Sequence, residues 1–342
     1  MGFEPPLCES RADDTSVRLR AGVVSLVVGG GVLAAKWIAY QVTGSTAILS
    51  DALESIINVV AAVFALGSIV FAGRPADRNH PYGHGKIEFF SAAFEGGLIA
   101  FAAVIIVFES VRTLAGEVAV AQIDLGLAIT AIAGAINLAL GAFLLRSGRR
   151  HRSLTLIADG QHVLADFWTS LGVVIGLVLV RLTAIPQFDP VVALLVGLNL
   201  AYTGLRLVRH AAGGLLDEED SELLEKLIAA LNASLVPGII RIHNLRAMRS
   251  GRYTHVDAHL VVPEYWSVQE AHEAADDFER RVIEASRLEG EIVFHTDPCR
   301  RAYCAECEIA ECPVRVEPLR AKVQLTLDEA LLRDADLMAR QI

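Results

Sequence analysis

Two apolar segments of the sequence carry polar residues at the same spacing. Each has three of them at positions i, i+3 and i+7, namely Asp51, Glu54 and Asn58 in the first segment and Asp159, His162 and Asp166 in the second. On a helix, this spacing stacks the three side chains along one face. Two such helices that face each other can enclose a metal ion.

The last two polar residues of each segment are four positions apart. Together they offer four potential metal ligands, which are Glu54, Asn58, His162 and Asp166. Two carboxylates, one amide oxygen and one imidazole suit Zn²⁺ and are compatible with Fe²⁺, Mn²⁺ or Co²⁺. Asp51 and Asp159 are possible additional ligands. The alternative is a set of hydrogen bonds that only joins helices. Because ionisable groups in long apolar segments are costly, two matching acidic stripes favour the metal site.

A third group of potential ligands follows the first apolar segment, in the sequence PADRNHPYGHGK. Asp77, His80 and His84 are again spaced at i, i+3 and i+7. The neighbouring glycine and proline residues allow the loop to turn these side chains inward. A solvated polar loop is the alternative reading, but the adjacent polar stripe favours a second metal site here.

The charges of the chain divide it into two unlike parts. The 342 residues are 53% hydrophobic, with a net charge of −10. Residues 1–216 contain 15 basic and 15 acidic residues, so residues 217–342 hold the whole negative charge. This division makes a single soluble domain a poor interpretation. It also argues against a nucleic-acid-binding protein, which would need a basic face.

Six apolar runs are long enough to cross a membrane as helices. They cover residues 21–42, 46–72, 89–113, 123–146, 155–180 and 187–208. Arginine and lysine are concentrated in the N-terminal arm and in the loops after the second and fourth runs. The positive-inside rule therefore predicts that both termini are cytoplasmic. The first run follows about 20 residues of polar sequence and lacks a cleavage pattern, so we do not interpret it as a signal peptide.

The acidic part is predicted to be a small α+β module. A helix over 219–234, strands over 240–249 and 253–262, a helix over 267–287 and a strand over 291–296 give the order αββαβ of a ferredoxin-like fold. This region contains five of the chain's ten histidines, which are His243, His255, His259, His272 and His295. Their density among acidic residues favours metal binding over the ordinary surface or core role of a single histidine.

Four cysteines follow this module at C-x4-C-x2-C-x4-C spacing, which are Cys299, Cys304, Cys307 and Cys312. Because the cytoplasm is reducing, four neighbouring thiolates suit a tetrahedral Zn²⁺ better than disulfides. The alternative is a set of thiols with no ligand role. We interpret the cluster as an added regulatory or metal-acquisition site, and residues 313–340 as a terminal amphipathic helix.

The chain resembles the cation diffusion facilitator family of divalent-metal transporters. The features that carry the resemblance are the two polar stripes, the NHPYGHGK loop and the HTDPC sequence. The resemblance implies a transport site at Glu54, Asn58, His162 and Asp166, and a loop site at Asp77, His80 and His84. It implies a metal cluster at the dimer interface formed by His243, His259, His272, His295 and Asp297, with Asp257 and His255 as possible additions. Lys86 and Asp217 match a charged pair that ties two protomers together in the family.

The expected fold is therefore a six-helix membrane bundle with a cytoplasmic ferredoxin-like domain. The expected divisions are an arm over 1–20, a transport domain over 21–210, a metal-binding domain over 211–298 and a Cys-rich segment with a helix over 299–342. The expected partners are a second copy of the chain and the lipid bilayer of the inner or plasma membrane. Binding to nucleic acid is not expected.

The expected function is secondary transport that exports a divalent cation, with Zn²⁺ as the first choice and protons as the counter-ion. Neither a Walker A loop nor an H-E-x-x-H motif is present in the sequence, so ATP-driven transport and enzyme activity are not expected. Zinc carriers of the family commonly have Asp or His at the positions of Glu54 and Asn58. Export of Fe²⁺, Mn²⁺, Co²⁺ or Cd²⁺ and a non-transporting metal sensor therefore remain alternatives.

Overall fold

The computed structural model describes residues 8–43, 46–115, 124–183, 185, 187–320 and 324–333. They form two compact units, a helical unit that ends at Leu216 and an α/β unit that begins at Asp217. The sequence places this division after residue 210, but the sixth helix continues to Leu215. The Cys-rich segment, expected as a separate division, belongs to the α/β unit.

Six long helices make up the described part of the helical unit. They are α1 (Cys8–Thr43), α2 (Thr46–Ala72), α3 (Ile87–Ala115), α4 (Asp124–Arg150), α5 (Leu154–Thr183) and α6 (Phe188–Leu215). Each contains a stretch that is long and apolar enough to cross a membrane, as judged from length and composition. The first helix begins well before the predicted arm ends, so part of that arm is helical.

Close helix contacts hold the helical unit together. The most extensive contacts join α3 to α6, α4 to α5, and α1 to α2. A Cβ atom added at Gly204 would lie 2.7 Å from the backbone nitrogen of Ala100, and one added at Gly160 would lie 2.9 Å from that of Leu145. Glycine at these positions lets the backbones approach, which is how membrane helices gain packing contacts.

A buried ion pair joins three of the helices at one end of the unit. The guanidinium group of Arg18 on α1 donates to a carboxylate oxygen of Glu88 on α3, and both side chains are buried. The hydroxyl of Ser153, directly before α5, donates to the other oxygen of Glu88 at 2.9 Å. The carboxylate is therefore neutralised by one helix and oriented by the start of another.

The α/β unit has the predicted αββαβ order. Its elements are α7 (Ser221–Ser234), β1 (Arg241–Ser250), β2 (Tyr253–Val262), α8 (Val268–Ser286) and β3 (Gly290–Pro298). The sheet order is β1-β2-β3, with β1 antiparallel and β3 parallel to β2. The core between the helices and one sheet face includes Leu227, Leu231, Leu260 and Phe278. The predicted fold class is confirmed.

One irregularity in β1 was not predicted. The pairing of β1 with β2 shifts between His243 and Arg246, which is a β-bulge. Asn244 at this point has a φ of +52°, a left-handed conformation that asparagine adopts more readily than most residues. Because of the extra residue, both Ile242 and Leu245 face the core, where each is buried.

The predicted terminal helix over 313–340 is wrong within the described residues. Residues 313–320 and 324–326 are not helical, and only a short helix, α9 (Leu327–Ala330), follows. Pro318 interrupts the helical pattern because proline lacks an amide donor. Arg315 donates to the carbonyl oxygens of Cys304 and Cys307 at 2.9 and 2.8 Å, which stabilises an irregular conformation of the segment.

Candidate metal sites

The polar stripes of α2 and α5 meet within the helical unit. Asn58 lies near the middle of α2, and His162 and Asp166 lie on α5. The side-chain oxygen of Asn58 lies 3.0 Å from Nε2 of His162, and its amide nitrogen donates to Asp166. Three of the four predicted transport-site residues are therefore in direct contact. These contacts occupy both polar atoms of the Asn58 side chain, whereas Nδ1 of His162 has no hydrogen-bond partner among the described residues.

A small cavity of about 20 Å³ lies beside this contact and is lined by residues of α1, α2, α4 and α5. Asn58, Asp159 and Asp166 line it. Asp159 is only 1% exposed and accepts a hydrogen bond from Ser25. Its other carboxylate oxygen has no hydrogen-bond partner among the described residues. A buried unpaired oxygen is costly, and a cation in the cavity would pair with it.

Lys36 of α1 lines the same cavity, although its position in the sequence did not assign it to the metal path. Its side chain is buried, and its ammonium group donates to Ser55 on α2 at 2.9 Å. Asn137 of α4 is a second lining residue that the sequence left unassigned. The signal in the sequence that could have identified Lys36 is its position as a lone charge in an apolar segment. The direction in which its side chain points, however, depends on how the helices pack.

Glu54 and Asp51 lie on α2, but their side chains are outside the described residues. Glu54 precedes Asn58 by four residues, so the helix places the two Cα atoms on the same face. The fourth predicted ligand of the transport site therefore rests on helix geometry and remains a prediction.

The loop between α2 and α3 brings Asp77, His80 and His84 together. The carboxylate of Asp77 lies 3.2 Å from Nδ1 of His80 and 3.3 Å from Nε2 of His84. Ligand atoms around a tetrahedral zinc ion are roughly 3.3 Å apart. Backbone N–H groups of His80 and Asn79 donate to Asp77 and hold the pKa of its carboxyl group below the ordinary value, with His80 contributing most.

His84 is the buried member of this loop group. Its Nδ1 atom has no hydrogen-bond partner among the described residues, and its ring packs edge-on against Phe71. The ring centroids of His80 and His84 are 4.4 Å apart. The loop therefore presents two imidazoles and one ionised carboxylate in a geometry suited to a divalent cation.

The outer face of the three-stranded sheet carries a second convergent group. The register places His243, His259 and His295 side by side on β1, β2 and β3. An oxygen of Asp297 lies 2.9 Å from Nδ1 of His259 and 3.4 Å from Nε2 of His243. His295 lies beside them, with Nε2 at 3.5 Å from Asp297. The side chain of Asn244 lies 3.1 Å from Nε2 of His259, a contact that the sequence did not indicate.

The remaining predicted ligands of the α/β unit lie apart from this group. His272 is exposed on α8, with Nδ1 at 3.6 Å from Asp276, and His255 pairs with Glu291 at 2.8 Å. Asp257 is exposed and lies opposite Arg246 in the sheet register. The structure therefore brings together four of the five family-matched residues, and leaves a role for His272 as a prediction.

The four cysteines of the C-terminal segment line one small cavity of the α/β unit. Cys304 and Cys307 are buried, whereas Cys299 and Cys312 are half-buried, and all four thiols are free. The predicted charged pair of Lys86 and Asp217 has one residue in each unit. Its contact between two protomers remains a prediction.

Comparison with known proteins identifies the family to which these two units belong. Residues 22–216 match the family model of the cation efflux transmembrane domain, and residues 219–299 match that of the cation efflux protein cytoplasmic domain. The chain belongs to the cation efflux family. The resemblance to cation diffusion facilitators is thereby confirmed, and the cation efflux architecture accounts for the six long apolar helices and the small mixed sheet.

Relatives of this cation efflux protein extend the match over most of its length. An uncharacterized transporter of Synechocystis sp. strain PCC 6803 is 35% identical over 280 residues, which cover 81% of this chain and 89% of the relative. The cation-efflux pump FieF of Salmonella newport and that of Salmonella heidelberg are each 27% identical over 281 residues, or 82% of this chain and 92% of theirs. The protein is thus a multi-pass membrane protein of a metal-cation transporter family, with a dimerisation domain.

Proposed function

We propose that this protein is an antiporter that exports a divalent metal cation, with Zn²⁺ as the first choice, from the cytoplasm in exchange for protons. Glu54, Asn58, His162 and Asp166 bind the cargo, and Asp51 and Asp159 assist them. The observation that carries the proposal is the partly buried contact of Asn58 with His162 and Asp166 beside a polar cavity. Buried polar groups within membrane helices generally mark an ion or proton pathway.

Proton exchange follows from the chemistry of these ligands. Histidine must be neutral and carboxyl groups ionised before they can bind a dication, so metal and protons compete for the same atoms. A site that opens alternately to the two sides of a membrane can then exchange one for the other. Asp159 and Asp166 line the cavity, and His162 contacts Asn58 beside it, so all three groups can release a proton when the metal enters.

The proposed arrangement is a homodimer in the cell membrane, either the inner or the plasma membrane, with both termini cytoplasmic. The outer face of the sheet, with His243, His259, His295 and Asp297, binds metal near the second copy, and His272 belongs to the same interface. The half-exposed position of Asp297 supports this role, because one side of the cluster remains open to a further ligand. Lys86 and Asp217 join the two protomers.

The loop group forms a separate metal site in this proposal. Asp77, His80 and His84 lie between two membrane-spanning helices, and their ligand atoms already lie within 4.8 Å of one another. The low pKa of Asp77 keeps its carboxylate available as pH falls. Binding at this loop adds a cation at the end of α2, the helix that carries Asn58.

Transport into sealed proteoliposomes tests the proposal. An inward-directed supply of Zn²⁺ with an imposed pH gradient should give uptake by the wild-type protein and accompanying proton movement. Asp166→Asn and His162→Ala should abolish both signals, because each removes a ligand. The matched control is Glu109→Gln, a change at an exposed carboxylate of α3 that pairs with Arg112, and it should transport normally. Wild-type rates in the two site variants would refute the assignment.

A competition series with Fe²⁺, Mn²⁺, Co²⁺ and Cd²⁺ in the same vesicles decides the cargo. The neutral amide of Asn58 is a weaker zinc ligand than a carboxylate, so strong inhibition of Zn²⁺ uptake by Fe²⁺ or Mn²⁺ would favour one of those cations. The same amide favours a second candidate, a metal sensor without transport. Retained metal binding without any uptake would identify that function.

A further inference from the structure

The C-terminal cysteines lie outside the transport path and outside the His–Asp clusters. Cys299 directly follows β3, and its amide donates to the carbonyl oxygen of Val262 at 2.8 Å, which continues the sheet pairing. Cys304 lies in a short 3₁₀ helix (Arg301–Ala305), and Cys307 and Cys312 follow in an irregular segment. Four thiols from three consecutive pieces of chain therefore surround one point.

The space between them fits a single ion. All four cysteines line a cavity of about 10 Å³, which is close to the volume of one water-sized sphere. Among the described residues, the close convergence of ligand atoms seen at Asp77, His80 and His84 is not reached by the thiols. Binding must therefore draw the sulfur atoms inward around the ion.

An arginine organises the segment that presents these thiols. Arg315 donates to the carbonyl oxygens of Cys304 and Cys307, and further bonds run from it to the carbonyl oxygens of Ile309 and Glu317. The amide of Arg320 donates to the carbonyl of Ala305 at 2.8 Å. These contacts fix the loop backbone, so the thiols are held near one another without regular secondary structure.

The charges around the cavity suit a thiolate site. Arg300, Arg301 and Arg315 line the same cavity. Four thiolates and one dication have a net charge of −2, and guanidinium groups nearby would offset it.

We propose that Cys299, Cys304, Cys307 and Cys312 bind one Zn²⁺ per chain as a structural tetrathiolate site, distinct from the transported cation. Four-coordinate thiolate ligation is the usual form of structural zinc sites. Cys299 lies two residues beyond Asp297 on the continuation of β3. The bound ion therefore also fixes the end of the strand that carries Asp297. This residue belongs to the outer-face cluster, which consists of His243, His259, His295 and Asp297.

Thiolate absorption of bound Co²⁺ tests this site in the full-length, reduced protein in detergent. Cobalt bound by thiolates has an intense near-ultraviolet charge-transfer band, which histidine and carboxylate sites lack. The wild-type protein should show this band, and Cys304→Ser/Cys307→Ser should lose it together with one equivalent of tightly bound Zn²⁺ per chain. Cys8→Ser, which changes the chain's fifth cysteine, is the matched control and should retain both.

Two further measurements keep the result interpretable. His243→Ala/His259→Ala should retain the thiolate band, because that change affects the outer-face cluster alone. In the wild-type protein, Zn²⁺ should protect four cysteines from alkylation, and a chelator should expose them, which tests the site even if the double serine variant misfolds. Absence of the band from the wild-type protein, or disulfides among the four cysteines, would overturn the site. Neither readout depends on transport.

Discussion

The helical and α/β units present similar donor atoms in opposite surroundings. His162 on α5 is 5% exposed and lies among helices, whereas the side chain of His295 on the sheet is 70% exposed. An ion beside His162 would be surrounded largely by the helices. An ion on the sheet can exchange with solvent directly or be covered by another protein surface. Similar ligand chemistry can thus support transport in one place and sensing or assembly in the other.

The largest expected effect tests whether buried charge is essential to the helical unit. Glu88→Ala leaves the buried guanidinium of Arg18 without its carboxylate, which should cost roughly 3–5 kcal/mol of unfolding free energy. Denaturant-induced loss of helical circular dichroism in micelles measures it. Glu109→Ala, which removes an exposed partner of Arg112, should cost less than about 1 kcal/mol. Equal costs would contradict a special role for the buried pair.

The second prediction separates transport from binding on the sheet. Asn58→Leu removes the amide that joins His162 to Asp166, and initial Zn²⁺ uptake should fall by roughly 100-fold. Calorimetric titration of the outer-face cluster should be unchanged. Asn199→Leu replaces an exposed asparagine on α6 and serves as the control. If both variants transport equally well, the contact between α2 and α5 is not the transport site.

The third prediction approaches the comparison from the sheet. Asp297→Asn keeps the side-chain shape but removes the charge that faces His243 and His259, so metal affinity of the outer-face cluster should fall about 10- to 100-fold. Uptake at saturating metal should change much less than in Asn58→Leu. Glu291→Gln, at an exposed position of β3 beside His255, is the control. A complete transport loss in Asp297→Asn would remove the distinction between the two units.

The smallest expected effect concerns α8. Ser267 caps this helix and exchanges hydrogen bonds with Glu270. Ser267→Ala should therefore cost about 1 kcal/mol. Amide exchange in the first turn of α8 should become roughly five-fold faster, as mass spectrometry of the full-length protein can measure. Ser286→Ala, near the other end of the helix, should leave the first turn unchanged.

The same cap has a defined pH dependence. Bonds from the backbone and then the side chain of Ser267 lower the pKa of Glu270. Its contribution to stability is therefore complete above the ordinary glutamate pKa and is lost as pH falls through the lowered pKa. In Ser267→Ala the backbone donor remains but the hydroxyl bond is lost, so the pKa of Glu270 should be lowered less. The loss of stability should then be smaller and should be complete at a somewhat higher pH. Unchanged acid sensitivity would show that the hydroxyl bond has no effect on the carboxyl group.

Local patterns in the sequence were sufficient to predict the helices and strands. They were less informative about the contacts between these elements. Apolar length indicated the six helices, and alternation in the β2 sequence indicated its outward-facing histidines. The direction of Lys36 into the cavity depends on the packing of α1 against α2, which no spacing within α1 records. Within the described residues the predicted terminal helix was wrong, because Pro318 interrupts the helical pattern and Arg315 binds loop carbonyls instead of lying on a helix.

The bulge at Asn244 has a consequence for insertions and deletions. Because one extra residue separates His243 from Leu245, removal of Asn244 would restore strict alternation and leave Ile242, His243 and Leu245 on their present faces. Removal of His243 would instead delete a predicted ligand, and removal of Leu245 would delete a core residue. A chain shortened by this one asparagine should therefore still fold its sheet, and would lose mainly the amide beside His259 and the backbone bond to Leu332.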